Sequence, residues 1–470
     1  PFLFAVWAGK SERLAQANLE QLQENFNFGI SQRGILAREW AEKNGFDRDR
    51  AEQYVTSAIQ YDVTPELIKG AGEFLRRGVN AGLFSRGVLG SLNAILNDQI
   101  EVARESQGIS QPVVGRKQKL RSVDAILDDA SSGKRISFVE GMRLATDASL
   151  ADLALAADAR RTQLHPAPAV SYIVDRNINY TNVCNVYCRF CAFYSAPGKK
   201  GGYLLTKEEI GKKIEDMLSA GGYQILLQGG LNPELGIEYY EDLFRWIKSR
   251  YPINLHALSS DEILHISEVS KLSIYETIKR LIAVGLGSLP GGGAEILVDR
   301  VRHRIARLKS STSAWLEVHR TAHRLGIPST CTMMFGVEEG WEDRILHMLK
   351  LRQQQDETRG FTAFITWPFQ DGNTKIKPGD TSAPEYLRVQ AVARLFLDNI
   401  PHIQSSWVTM GPSVGQLGLS FGADDFGSVM FEENVVSSAG TTYCMDEALI
   451  ERHILEAGFV PWRRSVHYKP

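Results

Sequence analysis

From residue 177 onward, short apolar runs alternate with longer stretches whose apolar residues recur at helical spacing, the signature of repeated strand–helix units. The runs predicted as strands are 178–183, 224–228, 253–258, 287–290, 329–335, 361–367, 404–409 and 427–431. After the first of them, Thr206 and Glu209 form a capping box ahead of Ile210, Ile214, Met217 and Leu218, an apolar stripe suited to facing a sheet. Eight such units predict an α/β fold, a (β/α)8 TIM-like barrel, with reactive groups at the carboxyl ends of the strands.

The front of the chain is patterned differently. Residues 1–105 are mostly helical in spacing, with apolar stripes over 13–24 and 48–59 and a helix start at Thr64-Pro65-Glu66. Residues 106–118 are polar, contain Gly and Pro, and lack periodicity, so they read as a linker. The expected organisation is a mostly helical partial domain over 1–105, a linker over 106–118 and a barrel over 119–470.

Composition narrows the function classes. With 43% apolar and 23% charged residues over 470 positions, the chain has the make-up of a soluble globular protein with a large core. Its 53 basic and 55 acidic side chains leave a net charge of −2, which gives no general pull toward nucleic acid or an anionic membrane. The apolar start, residues 1–8, is far short of the roughly 18 residues of a membrane span and lacks the flanks of a secretory signal. A cytoplasmic location is expected.

Five cysteines are present, and three of them fall within eight residues: Cys184-Asn-Val-Tyr-Cys188-Arg-Phe-Cys191. An odd, clustered set is not a disulfide framework. A loop leaving a strand can converge three thiolates on one cubane [4Fe-4S] cluster and leave the fourth iron without a protein ligand. The amino and carboxylate groups of S-adenosylmethionine (SAM) can chelate that open iron. A structural zinc site needs a fourth ligand, and no second CxxC or HxxxH lies nearby. An electron carrier normally closes all four positions with protein ligands. The CxxxCxxC spacing resembles that of radical SAM enzymes, and the resemblance places Phe190 against the adenine of SAM. Gln228-Gly229-Gly230, after the second strand, can bring backbone groups close to the methionyl amine. The Pro290–Glu295 loop ends in a carboxylate, Glu295, suited to ribose hydroxyls or equally to a helix start. Gly336-Val-Glu-Glu339 resembles the superfamily's pattern near adenine.

Longer stretches narrow the resemblance. Asp175–Cys184, Cys191-Ala-Phe-Tyr194, and residues 226–252, 290–302, 355–374 and 405–442 are similar to the cyclic dehypoxanthine futalosine synthases, radical SAM cyclases of the futalosine route to menaquinone. Trp367-Pro-Phe-Gln370 favours these over aminofutalosine synthase and the deazaflavin (F0) enzymes. The resemblance implies a nucleoside-like substrate, dehypoxanthine futalosine, and an electron donor such as flavodoxin or ferredoxin. It implies hydrogen abstraction from ribose C4′ by a 5′-deoxyadenosyl radical and closure onto the benzoate ring. Trp367, Gln370, Asp424 and Asp425 are then candidate substrate contacts, the two aspartates serving sugar hydroxyls or a turn. His256 and Glu295 are the candidate bases. Arg359, Thr366 and Asp371 depart from the family pattern. In the front segment, residues 1–9 and 61–84 resemble the C-terminal part of chorismate dehydratase, a periplasmic-binding-protein-like fold, so a shortened fusion of two pathway enzymes is expected.

Overall fold

Ala169–Ile173 (β1) and Asp175–Asn179 (β2) are separated by Val174 alone, and this one stretch of chain belongs to two sheets. The structure, a computed structural model, describes residues 121–470 apart from 433, 436, 441, 442, 467, 469 and 470. Its other strands are Gln224–Gln228 (β3), Asn254–Ala257 (β4), Leu286–Ser288 (β5), Ser329–Phe335 (β6), Phe361–Pro368 (β7), His402–Gln404 (β8), Asp425–Ser428 (β9) and Val460–Arg463 (β10). One sheet runs β2-β3-β4-β5, the other β10-β1-β9-β8-β7-β6, and the paired strands are parallel. The sheets meet twice. β1 runs on into β2, and a parallel bridge pairs Leu289, just past β5, with Ser329 at the start of β6. Among the described residues the strands therefore close into eight staves, with β1–β2 as one stave and β10 outside against β1. This is the expected barrel.

Among the described residues three helices precede it: Val123–Ser131 (α1), Phe138–Asp147 (α2) and Leu150–Leu164 (α3). Each begins at a serine, Ser122, Ser137 or Ser149, whose hydroxyl accepts a first-turn N–H. The helices between staves are Lys207–Ser219 (α4), Ile237–Arg250 (α5), Ser260–Val269 (α6), Ile274–Ala283 (α7), Asp299–Ile305 (α8), Thr312–Arg324 (α9), Trp341–Thr358 (α10) and Ala383–Phe396 (α11). Trp407–Met410 (α12), Pro412–Leu419 (α13) and Glu447–Glu456 (α14) complete the set. The capping box at Thr206 and Glu209 forms at the start of α4, and Ile210, Ile214 and Met217 are buried behind it.

Alternation along each strand sorts side chains between the helices and the lumen. Ile178, Ile225, Leu227 and Leu255 join one apolar layer, while Met333, Phe335 and Phe364 join another that also takes residues of α1, α2 and α3. The other face of β2 is polar: Asp175, Asn177 and Asn179. Gln224 donates its amide to Asp175 at 3.1 Å and accepts from Asn254 at 2.9 Å, a ladder across the register-matched first residues of β2, β3 and β4. Beyond β10, Arg464 pairs with Asp425 at the same end of the strands.

Three expected staves differ, among them the eighth, expected at 427–431 but spanning Asp425–Ser428. The first lies at 175–179, with 169–173 before it, because its polar residues face inward; 180–183 has already left the sheet. The seventh is only His402–Gln404. Trp407 onward turns helical, and Gly411 takes φ +83° between α12 and α13. The readings of 1–105 and of the linker lie outside the described residues. The chain divides into units at Pro1–Gln118 and Lys119–Pro470, and the described part belongs to the second.

Candidate active site at the carboxyl end of the barrel

Leaving β2, the chain turns back on itself. Thr181 bridges Leu204 and Val183 bridges Ser195, while Ser195 donates to Asn182 O at 2.8 Å and Cys184 donates to Ser195 O at 2.9 Å. Tyr187 takes a left-handed φ of 57°, and Cys191 donates to Cys188 O at 3.3 Å, which curls the loop. Arg189 N donates to Ile305 O at 2.9 Å and fastens the curl to the end of α8. Cys184, Cys188 and Cys191 are all free thiols and partly buried.

Burial pushes the Cys188 thiol up to about 12; the Lys309 ammonium opposes it, and the neighbouring Cys191 and Cys184 thiols add to it. Burial also raises Cys191, opposed by the N–H groups of Phe193 and Tyr194. Three thiolates this close need bound positive charge, and three soft sulfurs are the donor set of an iron–sulfur cluster with one open iron. The other two cysteines stand apart: Cys331 is fully buried on β6, and Cys444 is exposed ahead of α14.

The turn after β3 presses against this loop. A Cβ on Gly230 would overlap the Val183 carbonyl and come within 2.9 Å of Cys184 Cβ; one on Gly229 would sit 2.8 Å from the Tyr180 ring. Gly230 N donates to Thr181 O at 2.9 Å, and Gly229 N donates to Glu262 at 2.9 Å. Gly230 O already accepts Asn232 N at 3.0 Å, so with both N–H groups engaged what the turn can offer an ammonium group is a carbonyl lone pair. Glu262 was not singled out by sequence, although Ser259 and Glu262 form a legible capping box on α6. The same carboxylate accepts from Tyr180 Oη at 2.8 Å, and burial pushes it up to about 7 against its hydrogen bonds from Ser259, Tyr180 and Gly229.

Glu295 is buried with φ 44° and pairs with Lys309 at 3.0 Å. Lys309, another residue missed by sequence, also meets Asp261 at 3.3 Å and lies 5.4 Å from the centroid of the Phe190 ring. Burial would lower this ammonium, but Asp261 and Glu295 outweigh it and hold it above its usual range. Phe190, Glu295 and the cysteine loop are thus brought together around one buried cation. His256 faces the lumen with Nδ1 2.7 Å from Ser288 Oγ, and burial, with Arg464 adding, pulls it down to about 3. It is a neutral imidazole over the working pH range.

The remaining candidates separate. Gly336, at φ +84°, and Val337 donate to Glu339 at 2.7 and 2.8 Å, and Arg344 pairs with it at 2.8 Å, so this carboxylate closes its own loop after β6. Trp367 ends β7 partly buried, and Gln370 follows with its amide 3.2 Å from Pro368 O; both lie at the cysteine end. Asp424 and Asp425 stand at the start of β9, the opposite end. Asp424 pairs with Arg394, lies 2.5 Å from His402 Nδ1 and accepts from Ile403 N at 2.8 Å. Asp425 pairs with Arg464 and accepts from Ser171 at 2.8 Å and Gly427 N at 2.6 Å. The structure does not bring these two to the cysteines. A cavity of about 370 Å³ beside the cysteine loop is lined by Asn179, Phe193, Tyr203, Lys213, Glu432 and Asn434, among others.

Barrel and three-thiol loop together define a radical SAM enzyme, and comparison with known proteins agrees. Residues 178–351 match the radical SAM superfamily, and residues 358–470 match the CofH/MqnC C-terminal region. A crystal structure of methylornithine synthase matches with a TM-score of 0.56 at 19% identity, over 72% of this chain and 97% of that one, a likeness of fold. Cyclic dehypoxanthine futalosine synthase of Halalkalibacterium halodurans is 47% identical over 350 residues, 74% of this chain and 95% of that protein. That of Streptomyces coelicolor is 46% identical over 350 residues, 73% of this chain and 88% of that protein. The chain belongs to the cyclic dehypoxanthine futalosine synthase family. Like its superfamily, it uses a [4Fe-4S] cluster and S-adenosylmethionine.

Proposed function

We infer that this chain converts dehypoxanthine futalosine to its cyclic form in menaquinone biosynthesis. The 47% identity spanning 95% of the Halalkalibacterium relative carries the choice of reaction, and the loop of Cys184, Cys188 and Cys191 carries the class. When bound, the cluster and SAM supply a 5′-deoxyadenosyl radical by one-electron cleavage of the sulfonium bond.

The chain's own residues do the rest. The three thiolates hold the cluster at the mouth of the barrel, and the turn at Gly229 and Gly230 bounds the methionyl end of SAM through carbonyl oxygen. Phe190 and the Glu295–Lys309 pair flank the nucleoside end. Trp367 and Gln370 line the substrate side. With that radical supplied, hydrogen from ribose C4′ would go to the 5′ carbon, C4′ would bond to the benzoate ring, and rearomatisation would release one proton to a base and one electron back to the cluster, recovering the electron spent on cleaving SAM. Positioning C4′ between the 5′ carbon and the ring is the larger part of the catalytic task. His256, buried and pulled down to about 3, is a base of low strength, suited only to a strongly acidic ring proton. An electron donor such as flavodoxin or ferredoxin feeds the cluster.

The test is anaerobic incubation of cluster-loaded protein with reductant, SAM and dehypoxanthine futalosine. A product two hydrogens lighter than the substrate, formed with 5′-deoxyadenosine, supports the reading. 5′-Deoxyadenosine without such a product refutes the choice of reaction and leaves the class.

A further inference from the structure

We propose that the cationic face around the cysteine loop docks a small acidic one-electron carrier protein, a proposal that rests on the radical SAM reading above. Three segments are stitched together there. Arg189, set between Cys188 and Cys191, donates its backbone N–H to Ile305 O at 2.9 Å and accepts from Lys375 N at 2.8 Å. Its guanidinium donates to Arg304 O at 2.9 Å. The cysteine loop, the end of α8 and the loop after β7 thus share one surface.

That surface is positive and open. Arg189, Arg304, Arg307, Lys375 and Lys377 are all exposed. The last four have no ion-pair partner among the described residues. Carboxylates in these segments are fewer: Glu338 pairs with Arg189 at 3.3 Å, Asp380 accepts the Ser382 N–H at 2.9 Å, and Asp371 is exposed. Tyr187 and Leu308, 44% and 62% exposed, add a small apolar patch beside the charges. The chain as a whole carries a net charge of −2, so this cationic grouping is local rather than a general property.

The physics of electron delivery fits this place. Arg189 sits between two cluster ligands and is hydrogen-bonded to the Arg304 and Lys375 backbone, so a carrier seated here has a short route to the cluster. A like-signed patch steers an oppositely charged partner and speeds encounter by about 10-fold to 1,000-fold at low salt. Redox encounters need only a small interface, below about 1,200 Å². The step itself is simple: one electron leaves the carrier's reduced centre and enters the cluster, the carrier ends oxidised by one and the cluster reduced by one, and no bond or proton changes hands.

The experiment uses the full, cluster-loaded chain and Arg304→Glu/Arg307→Glu/Lys375→Glu. Stopped-flow absorbance follows cluster reduction by a flavodoxin hydroquinone and, separately, by a neutral photoreduced deazaflavin; calorimetry gives flavodoxin affinity. The proposal expects a loss of about tenfold or more in flavodoxin-driven rate and affinity at low salt, a flattened salt dependence, and an unchanged deazaflavin rate. Equal flavodoxin rates and affinities for the two proteins overturn it. Arg304→Gln/Arg307→Gln is the gentler check: it must show the same selective loss at about threefold, and a loss shared equally by both reductants counts against docking. Rapid flavodoxin-driven reduction with no cyclised product would instead refute the choice of reaction, so the two failures are distinguishable.

Discussion

Glu262 Oε1 accepts the Gly229 N–H at 2.9 Å, a contact that ties the start of α6 to the turn bounding the cysteine loop. The same carboxylate caps its own helix through Ser259 N at 2.7 Å. One buried group therefore fixes both a helix start and a cofactor turn. Glu262→Ala leaves the donors of Gly229, Tyr180 and Ser259 without it, at about 1–3 kcal/mol for each buried donor left unpaired. The expected result is a lower melting temperature and weaker SAM binding by calorimetry, with Glu262→Gln milder in both. Wild-type SAM affinity in Glu262→Ala would contradict the role.

Burial pushes the Glu262 carboxyl from 4.5 up to about 7. A folded-state value above the unfolded one contributes stability that is full below about 4.5 and is lost as pH rises through about 7. The stability of the wild type minus that of Glu262→Gln, measured by denaturant titration, should therefore fall between pH 5 and 8. A pH-independent difference would show that burial does not shift this group.

Gly230→Ala should lose most of its iron, because the new methyl group meets the Val183 carbonyl and Cys184 Cβ. Gly340→Ala, with nothing within 4 Å of the added carbon, is the control and should keep full loading. Iron and sulfide assays after reconstitution check both.

Replacing any one of Cys184, Cys188 or Cys191 by Ala should abolish SAM cleavage. Cys331→Ala and Cys444→Ala should retain the cluster, since one thiol is buried within β6 and the other is exposed ahead of α14. Loss of the cluster in Cys331→Ala with retention in Cys184→Ala would invert the assignment.

A chain beginning at Lys119 should keep cluster loading and turnover, because each candidate site residue lies in the second unit. Activity assays of that shorter protein, with iron content as the internal control, test the boundary.

Much of this was legible in the sequence, and the misses have physical causes. The staves at 224–228 and 329–335 stand where their apolar runs lie, since alternate residues bury against helices. The first stave was displaced because Asp175, Asn177 and Asn179 face a polar lumen, which no apolar run can mark. Trp407 and Val408 imitate a strand, yet the run is too short to separate strand from helix. The cysteine spacing was decisive because its chemistry is local. Glu262 and Lys309 were not, since their roles arise from partners 33 and 14 residues away in sequence, Gly229 and Glu295. Asp424 and Asp425 between glycines read as sugar contacts or as a turn, and a motif does not reveal which end of a barrel it occupies; here they pair with Arg394 and Arg464.

The central claim is that ribose C4′ is the site of hydrogen abstraction, and the direct measurement is substrate deuterated at that carbon alone. Turnover should carry one deuterium into 5′-deoxyadenosine and none into the cyclised product. Deuterium retained in the product, with 5′-deoxyadenosine labelled only from solvent or from another ribose carbon, would contradict the cyclase mechanism.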